Sequence, residues 1–504
     1  MSIVDNVIKW GLKRRWPKIK HFMQHPDEVQ KRMFTKLVEL AKNTEWGKKY
    51  HYKDIRRFEQ FQERVPISSY EDLYPYIERM LKGEQNVLWS SKINWFAKSS
   101  GTTNARSKFI PVSRETLQKC HFRGGRDMLS LVVVNKPDTR FFRGKGLSVG
   151  GSLSPNPHWQ GTYYGDVSAV IMHHMPRWAQ YLRAPSLETA LMPNWEEKIE
   201  AMAAEAIPLN ITSALGVPTW TIVLFKRILE ITGAKHIKEV WPDFEIFVHG
   251  AVAFQPYREL FDSLAPGISY METYNASEGF FGLQDDLSRD DMLLMLDYDM
   301  FYEFIPLSEV DKEHPQTLTL DQVELDKNYA IIISNSSGLW RYKIGDTVKF
   351  TSLSPFRVKI TGRTKHFINA FGEEVIIENA ETAITAACNA TGAVLNNFTA
   401  GPIYLGSQSK GGHEWIIEFA ENPSSMDTFS TVLDQTLREV NSDYDAKRHL
   451  DMALIKPVVH NVPEGTFYEW LKQRGKIGGQ IKVPRLANSR VYLDEILNLV
   501  NSRF

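Results

Sequence analysis

Apolar runs in this chain stop at strand length. Leu131-Val-Val-Val134 and Ala330-Ile-Ile-Ile333 are typical. A membrane-spanning helix needs about 18–20 consecutive apolar residues, so the apolar content must be spread over short strands and one-sided helices around an interior core. The chain is long enough to bury a large core, and its 504 residues allow two to four domains at about 150 residues each. Sixty Lys and Arg balance sixty Asp and Glu. That balance argues against a protein held to nucleic acid mainly through phosphates, while leaving a local anion site open. Two cysteines, Cys120 and Cys388, exclude a disulfide framework and a cysteine zinc cluster. The composition points to a soluble, cytoplasmic chain with no nucleic-acid partner and no integral membrane contact.

Residues 1–20 carry six basic residues and one acid among Ile8, Trp10, Leu12 and Trp16. No uninterrupted apolar stretch follows, so this is not a signal peptide. The expectation is a basic amphipathic helix that lays its Trp and Ile side on the protein body, with membrane-surface contact as the competing reading. Helical periodicity covers residues 25–82. Residues 89–112 read as strand, Gly/Ser/Thr loop and strand, and 114–134 as helix turning extended. Helical signal returns over 165–232, and short strands at 244–252 and 268–274 flank a helix. Residues 292–360 are β-rich runs separated by turns. Beyond 366, helix and strand alternate over a compact tail: a helix at 378–388, strands at 394–400 and 414–421, a helix at 426–440 and a strand at 452–459. The tail reads as a separate α/β domain joined near residues 361–365.

Three segments carry chemistry-bearing residues. Ser99-Ser-Gly-Thr-Thr-Asn-Ala-Arg-Ser-Lys108 follows a strand. Its hydroxyls and loop N–H groups suit phosphate oxygens, although the Walker spacing is absent. In Tyr274-Asn-Ala-Ser-Glu-Gly279 an aromatic ring that could stack on a base precedes a hydroxyl and a carboxylate suited to Mg²⁺. A capped helix start is the plainer alternative. In Trp340-Arg-Tyr-Lys-Ile-Gly-Asp346 a carboxylate after a strand and a glycine could accept two ribose hydroxyls, or simply sit in a turn. Gly146-Leu-Ser-Val-Gly150 matches the hydrolase nucleophile elbow, but that turn must run straight into a helix, and Gly151-Ser-Leu-Ser-Pro-Asn-Pro157 cannot start one. His173-His174 is not a metal pair, because adjacent helical side chains diverge.

The order of these segments, followed by Gly362-Arg363 at a domain junction, resembles the adenylate-forming superfamily. Within it the chain is similar to the auxin-responsive Gretchen Hagen family of acyl-acid amido synthetases. That resemblance runs from about residue 25 to 490. It adds Phe301-Tyr-Glu-Phe-Ile-Pro306, Gly338-Leu339, Gly465-Thr-Phe467 and Gly478-Gly-Gln-Ile-Lys-Val-Pro-Arg485 to the segments above.

The resemblance implies an α/β adenylate-forming fold. A large N-terminal domain, residues 1–363, would hold mixed sheets, helices and a β-rich subdomain, with a small mobile C-terminal α/β domain at 364–504. It implies an ATP-dependent, Mg²⁺-assisted ligase, a monomer, that adenylates a carboxylic acid and passes the acyl group to an amino acid. Ser99, Ser100, Thr102 and Thr103 would contact phosphates. Tyr274 and Asn275 would lie at the adenine, Ser277 near the α-phosphate, Glu278 on Mg²⁺, and Asp346 on the ribose with Arg363 close by. Lys482 would be the transfer lysine carried in by the small domain, with Lys365 at the hinge. In some plant members an arginine on the helix after the serine loop meets the acid carboxylate; the corresponding position here is Asp127, with Arg126 and Arg123 as neighbouring candidates. Thr162, Trp220 and Phe225 are expected to line an apolar acid pocket, and Lys456, in 455–459, to cradle the amino acid. An acyl-CoA synthetase would share the first step, but no basic cluster demands CoA. A non-catalytic nucleotide or carboxylate sensor would not need Glu278, Asp346 and Lys482 together.

Overall fold

The computed structural model describes residues 3–99, 108–149, 153–155, 161–192, 194–252, 254–310, 312–363, 367–406, 410–449, 453–474 and 483–503. Among these, the largest sheet has eleven strands. In chain order they are β1 (Lys145–Ser148), β2 (Arg183–Ala184), β3 (Ile211–Gly216), β4 (Ile246–His249), β5 (Ser269–Ala276), β6 (Gly279–Leu283), β7 (Met292–Leu294), β8 (Met300–Pro306), β9 (Asn328–Asn335), β10 (Tyr342–Leu353) and β11 (Phe356–Arg363). Across the sheet the order is β8-β9-β10-β11-β7-β6-β5-β4-β3-β1-β2. From β2 to β5 the pairing is parallel, and from β5 to β8 it is antiparallel.

The parallel half is covered on both faces, as parallel sheets are. One register row runs Ala184, Leu147, Ala214, Phe247, Tyr270, and all five lie in a core shared with C-terminal residues such as Phe371 and Trp415. On the opposite face Ile246, Val248 and Met271 join the N-terminal core. This two-sided burial explains why β3 shows no alternation and falls inside a stretch that reads as helical. The run Leu131–Val134 also departs from expectation. It forms the end of a continuous helix, Phe122–Asn135, with Leu131, Val132 and Val133 fully buried; tertiary packing overrides the β-branched preference.

A smaller four-stranded sheet orders its strands Lys108–Val112, Trp95–Ser99, Tyr163–Gly165, Leu153–Pro155. The segment after Ser148 thus reaches a strand, Leu153–Pro155, rather than a helix, and the elbow geometry is absent. His173 and His174 both pack on the Trp95 ring, at 4.8 and 4.6 Å between centroids.

The N-terminal helix α1 (Ile3–Lys13) docks on the body, but not by its tryptophan. Trp10 is 60% exposed under the Arg14 guanidinium. Polar contacts fasten it: Lys9 donates to the Thr139 carbonyl at 2.7 Å, and Ser130 donates to the Leu12 carbonyl at 2.9 Å, while Trp16, beyond α1, packs against the core as expected. Arg15, just beyond α1, bridges Asp127 and Asp297. No helix among the described residues is long and apolar enough to cross a membrane.

After β11 the chain builds a three-stranded sheet, Val394–Ile403, Gly412–Glu421 and Val458–Val462. Helices Ile377–Thr391, Met426–Val440, Thr466–Gln473 and Val491–Arg503 accompany it. The last strand starts at Val458, later than the apolar run from Met452 implies. This unit meets the large sheet where Tyr257 donates its hydroxyl to the Ala370 carbonyl at 2.6 Å. Lys365 and Lys482 lie outside the described residues.

Candidate functional site

A cleft of about 2070 Å³ runs along the carboxyl ends of the parallel strands, where open α/β sheets place their ligands. Ser148, Gly216, His249 and Asn275, at or near the ends of β1, β3, β4 and β5, line it. The C-terminal unit closes one side with Asn369, Glu374, Asp443, Lys447 and Asn488.

Chain folding brings three distant motifs together here. Ser277 and Glu278 are not a helix start; they form the two-residue tip of the β5–β6 hairpin. Asp346 and Arg363, 17 residues apart, are directly opposed across β10 and β11. Arg363 Nε donates to Asp346 Oδ1 at 2.8 Å, and the Tyr274 hydroxyl donates to Asp346 Oδ2 at 2.8 Å. Arg363 also donates to Glu374 Oε1 at 3.1 Å, so one guanidinium ties the β-rich region to the C-terminal unit. Burial alone would weaken its hold on the proton, but Glu374, Asp346 and Glu278 keep it firmly cationic.

The Tyr274 ring is 4% exposed and packs against Phe281. Burial, with Asp346 beside it, raises the phenol well above its usual range. Glu278 is 7% exposed. Burial raises its carboxyl, with Lys108 opposing the shift. Asn335 fixes the hairpin tip by donating to the Glu278 carbonyl at 2.8 Å.

Ser99, Tyr274, Asn275, Ser277, Glu278, Asp346, Arg363, Arg126 and Trp220 all line the cleft. Ser100, Thr102, Thr103 and Lys482 fall outside the described residues. Arg126 is exposed and makes no ion pair with a described residue. Arg123 is turned away: it donates to the Asp297 carbonyl and lies 3.6 Å from the Asp297 carboxylate. Asp127, at the position counted for the acid-binding arginine, is fully buried and accepts from Arg15 and from Tyr298 at 2.8 Å. It is an anchor for the N-terminal segment. Phe225 belongs to the core, stacked edge-on against Phe244, because its helix turns that side toward the sheet. Thr162 is spent on the Leu81 carbonyl at 3.0 Å. Lys456 lies on the surface, bound to Asp427 and Thr431. None of Arg123, Thr162, Phe225 and Lys456 lines the cleft among the described residues.

Several motif residues prove to be scaffold. Arg341 is 5% exposed and pairs with Glu303 at 2.8 Å, and Trp340 donates to the Leu88 carbonyl at 3.0 Å. Other cleft residues carry no motif signal. His249 stacks on Phe254 at 4.0 Å, and burial lowers its pKa to about 3. Burial raises Asp443 to about 6, with Lys447 opposing the shift. Lys108 also lines the cleft and could have been found from sequence, as the last residue of the serine-rich segment.

Residues 15–270 match the GH3 family N-terminal domain, 293–363 the GH3 family central domain and 378–491 the GH3 family C-terminal domain. Indole-3-acetic acid-amido synthetase GH3.3 of Arabidopsis thaliana is 23% identical, the alignment covering 96% of this chain and 93% of that protein. The 4-substituted benzoates-glutamate ligase GH3.12 of the same plant is 22% identical over 96% and 97%. The solved structure of GH3.15 acyl acid amido synthetase superposes with a TM-score of 0.60 at 16% identity, covering 96% of this chain and 94% of that one.

Proposed function

Because the chain belongs to the GH3 family, we propose that it is an ATP-dependent ligase joining a carboxylic acid to the amine of an amino acid. One observation carries this reading. Tyr274, Ser277, Glu278, Asp346 and Arg363, from three separate segments, converge on one cleft at the carboxyl ends of parallel strands.

In the first half-reaction an acid oxygen attacks the α-phosphorus of ATP, the bond to the bridging oxygen breaks, and pyrophosphate leaves. Such a transfer needs in-line positioning and charge stabilisation. Asp346 has both oxygens engaged, yet each retains a lone pair for a ribose hydroxyl. Ser277 at the hairpin tip donates to the α-phosphate. The segment from Ser99 to Thr103 cradles the outer phosphates, and Tyr274 and Asn275 flank the base. Glu278 fits a Mg²⁺ ion: among the described residues no group of three or more metal-binding side chains converges, but an ion shared with ATP phosphates needs only one or two carboxylates. When bound, the ion would screen phosphate charge. Arg126 is the open cation for the acid carboxylate.

In the second half-reaction the neutral amine attacks the acyl carbonyl, the C–O bond to phosphate breaks, and AMP leaves. Lys482 serves the first half-reaction, neutralising phosphate charge from the small unit, residues 364–504, which turns against residues 1–363 near Lys365 between the two steps. The enzyme acts as a cytoplasmic monomer.

The test is ATP–pyrophosphate exchange across a panel of carboxylic acids, then mass spectrometry of the best acid with amino acids or with CoA. The reading expects exchange with at least one acid and an N-acyl amino acid with AMP. Robust thioester with no amide would overturn the acceptor; no exchange with any acid would overturn the adenylation.

A further inference from the structure

Three arginines among the described residues are less than a tenth exposed: Arg183 at 6%, Arg341 at 5% and Arg448 at 8%. Two of them are saturated. Arg341 grips Glu303 with Nε and Nη2, and Arg448 grips Asp434 through Nε and Nη2 at 2.7 Å each. Arg183 is the exception: its Nε and Nη1 are buried without a hydrogen-bond partner among the described residues. The nearest opposing charge is Glu205, whose oxygens are occupied by the Ser186 amide at 2.6 Å, the Ser186 hydroxyl at 3.0 Å and the Thr189 hydroxyl. Burial accordingly lowers the Arg183 pKa, with Glu205 opposing. A buried guanidinium with vacant donors is costly, and side chains so placed cluster at binding sites.

Arg183 also lines the cleft. It stands on β2, the last strand of the parallel half, in one register row with Gly146 and Ser213. The row points away from the shared C-terminal core, because Ala184, Leu147 and Ala214 take that side. Gly146 contributes no side chain to the row, and a Cβ there would meet the Ser213 hydroxyl at 3.1 Å. Phe142 and Met172 supply apolar lining to the same cleft. The nucleotide end of the cleft is at the tip of β5, four strands away. At about 4.8 Å per strand, β2 lies roughly 19 Å across the sheet from β5, and the register row of Arg183 meets β5 at Ser269, well before its tip at Ala276. One molecule does not present its reacting carboxylate at both places.

We propose that Arg183 is a specificity-determining residue that reads a second anionic group at the far end of an elongated acid, so that the favoured acids are dianions such as α,ω-dicarboxylates. This rests on the adenylation reading above for which carboxylate reacts, but not for the binding itself. The planar fork of donors suits a terminal carboxylate, which would supply the missing partners. A monoacid of equal length would leave the guanidinium buried and unpaired, and such an unmet polar site discriminates strongly.

The test uses the full-length protein and matched pairs long enough to reach between the two ends: dodecanedioate with dodecanoate, hexadecanedioate with hexadecanoate, icosanedioate with icosanoate. Affinity is read by calorimetry with and without a non-hydrolysable ATP analogue, and pyrophosphate exchange is read in parallel. The expected result is a diacid preference of ~10-fold or more at one chain length, collapsing toward unity in Arg183→Met and in Arg183→Gln. The two variants guard against misfolding of one, and their melting temperatures should not fall, since a merely structural arginine would lower them. No diacid preference at any length overturns the proposal. So does a preference that survives both variants, or an equal loss for diacid and monoacid, which would make Arg183 the holder of the reacting carboxylate. Discrimination by calorimetry without any pyrophosphate exchange would sustain the Arg183 assignment and sink the adenylation reading instead.

Discussion

At the scale of single residues, the cleft is built from groups whose environments set their protonation. Asp346 holds Arg363 and Tyr274 at 2.8 Å each and lines the cleft. Charge-assisted hydrogen bonds to ribose are worth about 1.5–3 kcal/mol each, so Asp346→Ala should weaken ATP binding by ~10-fold or more. Calorimetry checks this, and an unchanged affinity would take Asp346 out of the ribose role. His121 offers a pH prediction. It is 3% exposed, neither ring nitrogen has a partner, and burial lowers its pKa to about 4. An unfolded histidine titrates near 6.5. Between those values the unfolded chain binds a proton that the native state refuses. His121's contribution is therefore complete above pH 6.5 and is lost as the pH falls toward 4, by ~3 kcal/mol. Replacing it with leucine, His121→Leu, should flatten that part of the stability profile. Urea midpoints at pH 7 and pH 4.5 measure it, and an identical drop in variant and parent would rule His121 out as the cause.

At the scale of elements, two devices hold the site together. The β5–β6 hairpin delivers Ser277 and Glu278 to the cleft, and the β10–β11 pair opposes Asp346 to Arg363. The N-terminal helix is fastened differently, by ionic contacts at its end. Arg15 Nε lies 2.8 Å from Asp127 and its Nη2 2.7 Å from Asp297, and Asp127 is fully buried. Burial raises the Asp127 pKa, and Arg15 and Tyr298 oppose that shift. Removing one partner of such a pair strands the other, at a cost of about 3–5 kcal/mol. Arg15→Met should lower stability by that order, and Arg15→Met with Asp127→Asn should recover part of it. Urea denaturation of the three proteins decides; full stability in the single variant would show that α1 is held by other contacts.

At the scale of the whole molecule, two units meet over one cleft. Arg363 binds Asp346 and Glu374 at once, and the C-terminal residues Asp443 and Lys447 face the same space. The reading in which Lys482 reaches the phosphates only when the small unit closes makes a kinetic prediction. Lys482→Ala should reduce acid-dependent pyrophosphate exchange by ~10²-fold, as expected for loss of one preorganised charge partner. Aminolysis of a supplied acyl-adenylate should suffer less. Equal losses in both half-reactions would contradict a step-specific lysine.

Much of this protein was legible in its sequence where the signal is local. The strands around 95–112, the 269–276 strand, the tail helices Ile377–Thr391 and Met426–Val440 and the first two strands of the tail follow from periodicity and turn residues. The ordered segments with Ser99, Tyr274, Glu278 and Asp346 carry the family resemblance along nearly the whole chain. Local signals fail where burial is decided at long range. The strand Ile211–Gly216 is covered on both faces, so it shows no alternation, while Leu131–Val134 is drawn into a helix by the core around it. The same limit separates site residues from scaffold. Nothing local distinguishes Asp346 from Glu303, yet packing leaves one lining the cleft and locks the other against Arg341. The candidates Arg123, Thr162, Phe225 and Lys456 each have suitable chemistry, but partners far along the chain or on the surface claim them. Arg183 carries no motif at all. Its significance arises only when parallel pairing sets it in a cleft with its donors unmet, because hydrogen-bond satisfaction is a property of the folded neighbourhood and not of the residue.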